Sequence, residues 1–120
     1  MVFLQILKII AAAATILTGI VSLFFPLKVR NFVGLEVQGG RGITEIRSIL
    51  GAFFIGLGIA ALYFNMPETY QMLGFTYLVV AFVRGISMFT DDSVVSSNII
   101  SLIVEILFGV ILLLRFGGIS

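Results

Sequence analysis

Four apolar stretches divide the chain, and each is close to the roughly 20 residues that a helix needs to cross the hydrocarbon core of a bilayer. They cover residues 3–25, 43–64, 70–89 and 99–116. Short polar segments separate the last three stretches, and a longer mixed segment, residues 26–42, follows the first. The pattern predicts an all-α integral membrane protein: a single domain, residues 1–120, folded as a four-transmembrane-helix bundle with up-down-up-down topology.

Composition agrees with a membrane protein and narrows the chemistry. Hydrophobic residues make up 60% of the chain and charged residues 11%, far from the mix of a soluble domain. The chain has no Cys and no His, so disulfides, thiol chemistry, histidine-ligated haem and the usual zinc sites are excluded. We expect no metal site and no cofactor. The net charge is only +1 and the few basic residues are scattered along the chain, which argues against a nucleic-acid partner.

Basic residues near the ends of the stretches predict the orientation. Five of them are expected on the side of the long connecting segment: Lys28, Arg30, Arg41, Arg47 and Arg84. Only Lys8 and Arg115 are expected on the other side. Because loops rich in Lys and Arg stay in the cytoplasm, the sequence predicts a multi-pass protein of the inner (plasma) membrane with both termini outside.

Helical periodicity gathers small and polar residues on one face of three stretches. In the first stretch this face carries Lys8, Ala12, Thr15, Gly19 and Ser22. In the third it carries Tyr70, Gly74, Tyr77, Ala81, Arg84, Met88 and Asp91, and in the fourth Asn98, Ser101, Glu105 and Gly109. We expect these faces to be turned towards protein.

The second stretch is expected to follow the same rule. At 100° per residue, bulky and small residues fall on opposite arcs. We expect the bulky arc to face lipid; it consists of Ile46, Leu50, Phe53 and Leu57. We expect the small arc to face protein; it consists of Ser48, Gly51, Ile55 and Gly58. Glu45 and Arg47 would flank the small-residue arc and point towards neighbouring helices.

Ionisable residues within spans mark the candidate site, because each is costly in hydrocarbon. With alternating helix directions they gather in the cytoplasmic half as a polar vestibule. We predict a ligand-binding cluster there, and no catalytic residue can be assigned: Glu45, Arg47, Ser48, Arg84, Ser87, Asp91, Ser101 and Glu105. The competing interpretation is structural, with Glu45–Arg84 and Arg47–Glu105 ion pairs that fix helix register. For Asp91 and Asp92, helix capping and solvation are expected.

One motif extends over three of the stretches. It consists of residues 42–48 (Gly-Ile-Thr-Glu-Ile-Arg-Ser) with Gly51, followed by Arg84, Ser87, the Asp91-Asp92-Ser93 turn and Glu105. With this motif the chain resembles a family of small bacterial four-helix membrane proteins, domain of unknown function 4345, which is distantly similar to DoxX-like membrane proteins. The turn departs from the Asp-Gly that the family pattern leads us to expect. The resemblance implies that Glu45, Arg47, Arg84, Asp91 and Glu105 belong to one shared polar site.

Three functions compete at this point. The favoured one is the binding of a lipid- or quinone-like amphipathic molecule in the polar vestibule, alongside ordinary membrane lipids as partners. The second is a small membrane enzyme or a proton-coupled carrier in which Glu105 exchanges a proton and Arg84 orients the substrate. The third is a structural or accessory subunit that associates with another membrane protein, or with copies of itself, through small-residue faces. Because no nucleophile–base pair can be identified, an enzyme is not favoured.

Overall fold

The computed structural model describes residues 2–114, and these contain helices but no strand. The helices are α1 (Val2–Phe24), α2 (Pro26–Val33), α3 (Gly39–Glu45), a π-helical segment (Ile46–Ala52), α4 (Phe53–Phe64), α5 (Pro67–Thr90) and α6 (Ser96–Leu113). Since α3, the π-helical segment and α4 follow one another without a break, they form one continuous rod. The all-α prediction is confirmed.

With this rod counted as one helix, the described residues contain four helices that are long and apolar enough to cross a membrane: Val2–Phe24, Gly39–Phe64, Pro67–Thr90 and Ser96–Leu113. The four predicted spans are therefore confirmed, with changes at their ends. The second begins at Gly39 instead of residue 43, because residues 39–42, which the sequence assigned to the long connecting segment, are helical. The fourth begins at Ser96 and ends at Leu113; of its predicted final residues, 115 and 116 lie outside the described part of the chain.

The connecting segments also hold structure of their own. The long segment after α1 contains α2, which starts with Pro26 at its first turn. Between α4 and α5, Asn65 adopts a positive φ of 48° and Pro67 opens α5. Asp91 occupies the C-cap of α5, whereas α6 starts after Val95 without a side-chain cap. The polar turn before α6 therefore supplies no side-chain N-cap to that helix.

The chain divides into two compact units, one of Met1–Ala11 with Phe64–Ser120 and the other of Ala12–Tyr63. In the first unit α5 packs against α6, and the two backbones come close together at Gly74 and Gly109. A Cβ atom on Gly74 would lie 2.9 Å from the carbonyl oxygen of Gly109 and 2.7 Å from Cβ of Leu112. Only a residue without a side chain allows this backbone contact, which gives membrane helices their van der Waals attraction.

The second unit uses glycine in the same way. A Cβ atom on Gly19 of α1 would lie 2.5 Å from the carbonyl oxygen of Gly51, and one on Gly58 would lie 2.8 Å from that of Ala12. The backbone of α1 therefore meets the backbone of the second span at two levels. Since lipid tails are as apolar as side chains, this close packing, and not hydrophobicity, holds such helices together.

The π-helical segment changes which residues of the second span are buried. Its hydrogen bonds skip one residue more than those of an α-helix, as in the bond from the Phe53 N–H to the Ser48 carbonyl. Ile46 and Gly51 consequently share the buried side. The prediction that Ile46 faces lipid and Ser48 faces protein was wrong, since Ile46 is buried and Ser48 exposed, whereas the predicted burial of Gly51 and Gly58 is confirmed.

The faces predicted for the other spans agree with the structure. All five residues of the α1 face are buried, from Lys8 to Ser22. On α5, Tyr70, Gly74, Ala81 and Met88 are buried, while Asp91 at the helix end is exposed. On α6, Glu105 and Gly109 are buried and Asn98 and Ser101 are half-buried. An α-helical period of 100° per residue therefore describes these three spans correctly.

Substituting Gly74 by Ala should destabilise the first unit by about 1–3 kcal/mol, the usual cost of overpacking. The added Cβ has to push α6 away at Gly109. Gly85→Ala, on the same helix, is the matched control, because a Cβ there meets nothing within 4 Å, and it should leave stability unchanged or slightly raised. Unfolding in detergent measures both variants, and equal stability of the two would contradict this packing.

Candidate functional site

Arg84 of α5 and Glu105 of α6 form a two-point ion pair. The Nε of Arg84 donates to Oε1 of Glu105 and Nη2 donates to Oε2, each over 2.8 Å. The Glu105 side chain is 11% exposed and that of Arg84 is 31% exposed. Glu105 lies about 13 Å along α6 from its first residue, at 1.5 Å per residue. Since both carboxylate oxygens meet one edge of the guanidinium, formed by Nε and Nη2, the pair fixes the orientation of both side chains.

Asn98 joins this ion pair to the turn before α6. Its Oδ1 accepts a hydrogen bond from Nη1 of Arg84 over 2.9 Å, and its Nδ2 donates to the carbonyl oxygen of Ser93 over 2.9 Å. Both ends of the amide are therefore used. The result is a chain of polar contacts from Ser93 through Asn98 and Arg84 to Glu105, which we call the arginine site.

A groove of about 420 Å³ opens beside the arginine site. It is lined by Val79, Val80, Val83, Arg84, Ser87 and Asn98. Its volume falls within the range of small-molecule sites, about 300–1,000 Å³. The three valines are exposed, so on a membrane-spanning helix they are placed to face lipid tails. The groove therefore has an apolar wall at one end and hydrogen-bonding groups at the other.

The charge of Arg84 and its remaining N–H groups determine which kind of molecule the groove can hold. A guanidinium has five N–H groups, and Arg84 directs three of them at Glu105 and Asn98. One N–H on Nη1 and one on Nη2 have no acceptor among residues 2–114. Because Glu105 already neutralises the charge of Arg84, these donors suit a neutral oxygen acceptor better than a free anion.

Two further predicted site residues lie on the same helices. Ser87 lines the groove, and its hydroxyl forms a hydrogen bond with Oδ2 of Asp91 over 2.5 Å. Ser101 is half-buried on the α6 face that carries Glu105. Within the first unit, the structure therefore places Arg84, Ser87 and Asn98 at the groove, with Glu105 behind Arg84. Asp91 reaches the groove only through Ser87.

The remaining predicted site residues belong to the second unit. Glu45 pairs with Arg41, one helical turn earlier, and both side chains are exposed. Arg47 and Ser48 are exposed as well. The predicted ion pairs, Glu45–Arg84 and Arg47–Glu105, were therefore wrong. The reason is local: Arg41 stands four residues before Glu45 on the helical stretch that replaces the expected loop, and such pairs form readily.

Asn98 was not among the predicted site residues. Its signal in the sequence was its position seven residues before Glu105, which places both side chains on one face of α6.

A second polar group was also missed, at the turn between α4 and α5. Asn65 Oδ1 accepts hydrogen bonds from the Tyr70 hydroxyl over 2.7 Å and from Gln5 Nε2 over 3.2 Å. The ammonium group of the fully buried Lys8 lies 6.0 Å from the centre of the Tyr70 ring.

Among residues 2–114, no three His, Cys, Asp or Glu side chains gather closely enough to hold a metal ion. The arginine site itself offers N–H donors beside an apolar wall. Tyr77 and Phe108, whose rings meet edge to face at 5.8 Å, add packing between α5 and α6 and contribute no polar group to the groove.

Substituting Glu105 by Gln should lower the free energy of unfolding by about 3 kcal/mol, because it leaves Arg84 without a charge partner within the span. The matched control is Glu45→Gln, which breaks the exposed pair with Arg41 and should cost less than about 1 kcal/mol. Denaturation of both variants in mixed micelles makes the comparison. A Glu105→Gln protein as stable as the Glu45→Gln protein would mean that the buried pair contributes nothing to the fold.

One family matches the chain across residues 3–116, and its description is Domain of unknown function (DUF4345). The match covers nearly the whole chain, as the motif residues predicted. No curated protein and no solved structure matches the chain. The distant similarity to DoxX-like proteins stays a prediction.

Proposed function

Since the chain belongs to the family described as Domain of unknown function (DUF4345), and this description assigns no activity, we propose a function from the site itself. The protein binds an amphipathic lipid- or quinone-like molecule in the groove between α5 and α6. The observation that carries this proposal is the charge-neutral arginine site at the end of a valine-lined groove. The groove offers a polar and an apolar half, as such a molecule requires.

The headgroup would be held through a carbonyl oxygen. The two N–H groups of Arg84 that have no acceptor among the described residues point away from Glu105, since the carboxylate occupies the opposite edge. A quinone carbonyl and a lipid ester carbonyl are both neutral acceptors of this kind. The tail would lie along Val79, Val80 and Val83, which are exposed on the same helix.

Binding is favoured over the alternative of an enzyme or a proton-coupled carrier that uses Glu105 and Arg84. Both oxygens of Glu105 are engaged with Arg84, and Glu105 does not line the groove. Its carboxylate therefore acts behind Arg84 as a positioning group and is not placed to exchange a proton with a molecule in the groove. No observation favours the role of an accessory subunit.

The orientation proposed with this function is an up-down-up-down bundle in the inner membrane, with the arginine site in the cytoplasmic half and both termini outside. Its support is the surplus of basic residues around the long connecting segment. That Glu45, Arg47 and Ser48 share one vestibule with the arginine site stays a prediction.

Filling the groove tests the function. Val83→Phe adds bulk at an exposed lining residue, so it should remove the bound molecule without loosening the core. We expect native mass spectrometry of gently extracted protein to show at least about tenfold less retained ligand than in wild type, a loss of about 1.4 kcal/mol. The control is Ile86→Phe, which is exposed on the same helix but does not line the groove.

The mass of the released molecule distinguishes a quinone from an ester lipid. Equal retention by the Val83→Phe and Ile86→Phe proteins would rule out the groove as the binding site. A wild-type protein that retains neither kind of molecule, and takes up neither when they are added, would refute the proposed function.

Orientation has its own test. A reporter that is active only outside the cytoplasm, fused after Ser120, should be active, whereas the same reporter inserted between α2 and α3 at Leu35 should be silent. The physical reason is retention of the segment rich in Lys and Arg on the cytoplasmic side. The reverse pattern would overturn the proposed orientation and leave the groove unaffected.

A further inference from the structure

The second unit carries most of the positive charge of the chain. Residues 12–63 contain four basic and two acidic residues. Arg41 is neutralised by Glu45. Three other cations form no ion pair with a carboxylate among residues 2–114, and we call them the basic patch: Lys28 and Arg30 of α2, and Arg47 of the π-helical segment. Their charge is therefore available to an outside partner.

The three residues sit on elements that touch. Helix α2 contacts the π-helical segment, which carries Arg47. Lys28 is exposed and its ammonium lies 5.5 Å from the centre of the Phe25 ring, a contact that leaves its charge intact. Arg30 donates from Nε and Nη2 to the neutral Oδ1 of Asn31, which leaves Nη1 and one N–H of Nη2 to bind an anion.

Helix α2 and the segment after it also expose apolar side chains. On α2, Leu27 and Phe32 are each 48% exposed, and Leu35 beyond the helix is 52% exposed. A short helix that exposes both basic and bulky apolar residues lies in the headgroup region of a bilayer, with its apolar side chains in the acyl boundary. Arg47 is exposed within a membrane-spanning rod, so its long side chain has to extend to that same polar layer.

We propose that the basic patch binds the phosphate of an anionic phospholipid in the adjoining leaflet. Charge complementarity selects an anionic headgroup over a zwitterionic one, since each Lys or Arg near a membrane surface strengthens binding to anionic lipid. The exposed Leu27 and Phe32 select a lipid over a soluble phosphate, because they have to enter acyl chains to lose contact with water. The basic patch belongs to the second unit and the valine-lined groove to the first, and this proposal does not rest on the function proposed for the groove.

The test compares the retention of phosphatidylglycerol and phosphatidylcholine with identical acyl chains, by native mass spectrometry of the full chain. Wild type should prefer phosphatidylglycerol. Arg30→Gln and Arg47→Gln should each weaken that preference about fivefold, as expected for one cation near the membrane surface. Arg30→Lys, which keeps the charge, should retain most of it.

Arg41→Gln is the matched control. It removes one positive charge from the same unit, but from a residue already paired with Glu45, so it should change the preference little. A loss as large as that of Arg30→Gln would show that only net charge matters and would overturn the site. So would equal retention of the two lipids by wild type, or displacement of phosphatidylglycerol by inorganic phosphate.

Two measurements keep the outcomes interpretable. Circular dichroism confirms that each variant remains helical, which is expected because the three substituted arginines, Arg30, Arg41 and Arg47, are at least partly exposed. The groove-filling Val83→Phe protein should keep its preference for phosphatidylglycerol. If that preference disappears with Val83→Phe, the anionic lipid occupies the groove and the basic patch is not its site.

Discussion

Inside a bilayer no water is available to hydrogen-bond a polar group, and the structure follows from this constraint. The backbone satisfies itself by forming helices over nearly all the described residues. Hydrophobicity no longer drives helices together, so contact depends on close approach at Gly19, Gly74 and Gly109. The guanidinium of Arg84 can remain within its span because Glu105 and Asn98 supply the acceptors that water would otherwise provide.

Much of this architecture could be predicted from the sequence, because the bilayer imposes simple rules. Length and hydropathy identified four spans, and the α-helical period identified the buried faces of α1, α5 and α6. Lys8, Thr15 and Glu105 are buried where the period places them. Of the residues predicted for the site, Arg84 and Ser87 line one groove, and Glu105 pairs with Arg84. These residues lie on regular helices, for which the period is reliable.

The remaining features depend on geometry that the sequence does not encode in a simple period. In the π-helical segment Ile46 is buried and Ser48 is exposed. The hydrophobic period of the sequence does not predict such a segment. The partners of the charged residues were missed for a related reason. Because the stretch from Gly39 is helical, Arg41 lies one turn before Glu45 and pairs with it. Asn98 was recognised as part of a face and not as a ligand of Arg84, because its side-chain partner follows only from the distance between α5 and α6.

The π-helical segment also bears on how this span could tolerate insertions and deletions. An α-helix of the same span would close each hydrogen bond one residue earlier, so the segment can be described as an α-helix with one residue added. Deleting a single residue between Ile46 and Ala52 would restore α-helical bonding with the rod intact. Because the wider turn holds the added residue without adding a turn, the residues before the deletion would keep nearly the same direction relative to Gly58. The outward direction of Arg41 and Glu45 therefore tolerates the loss of one residue from the π-helical segment, whereas the same loss from α4 before Gly58 would turn them by about 100°.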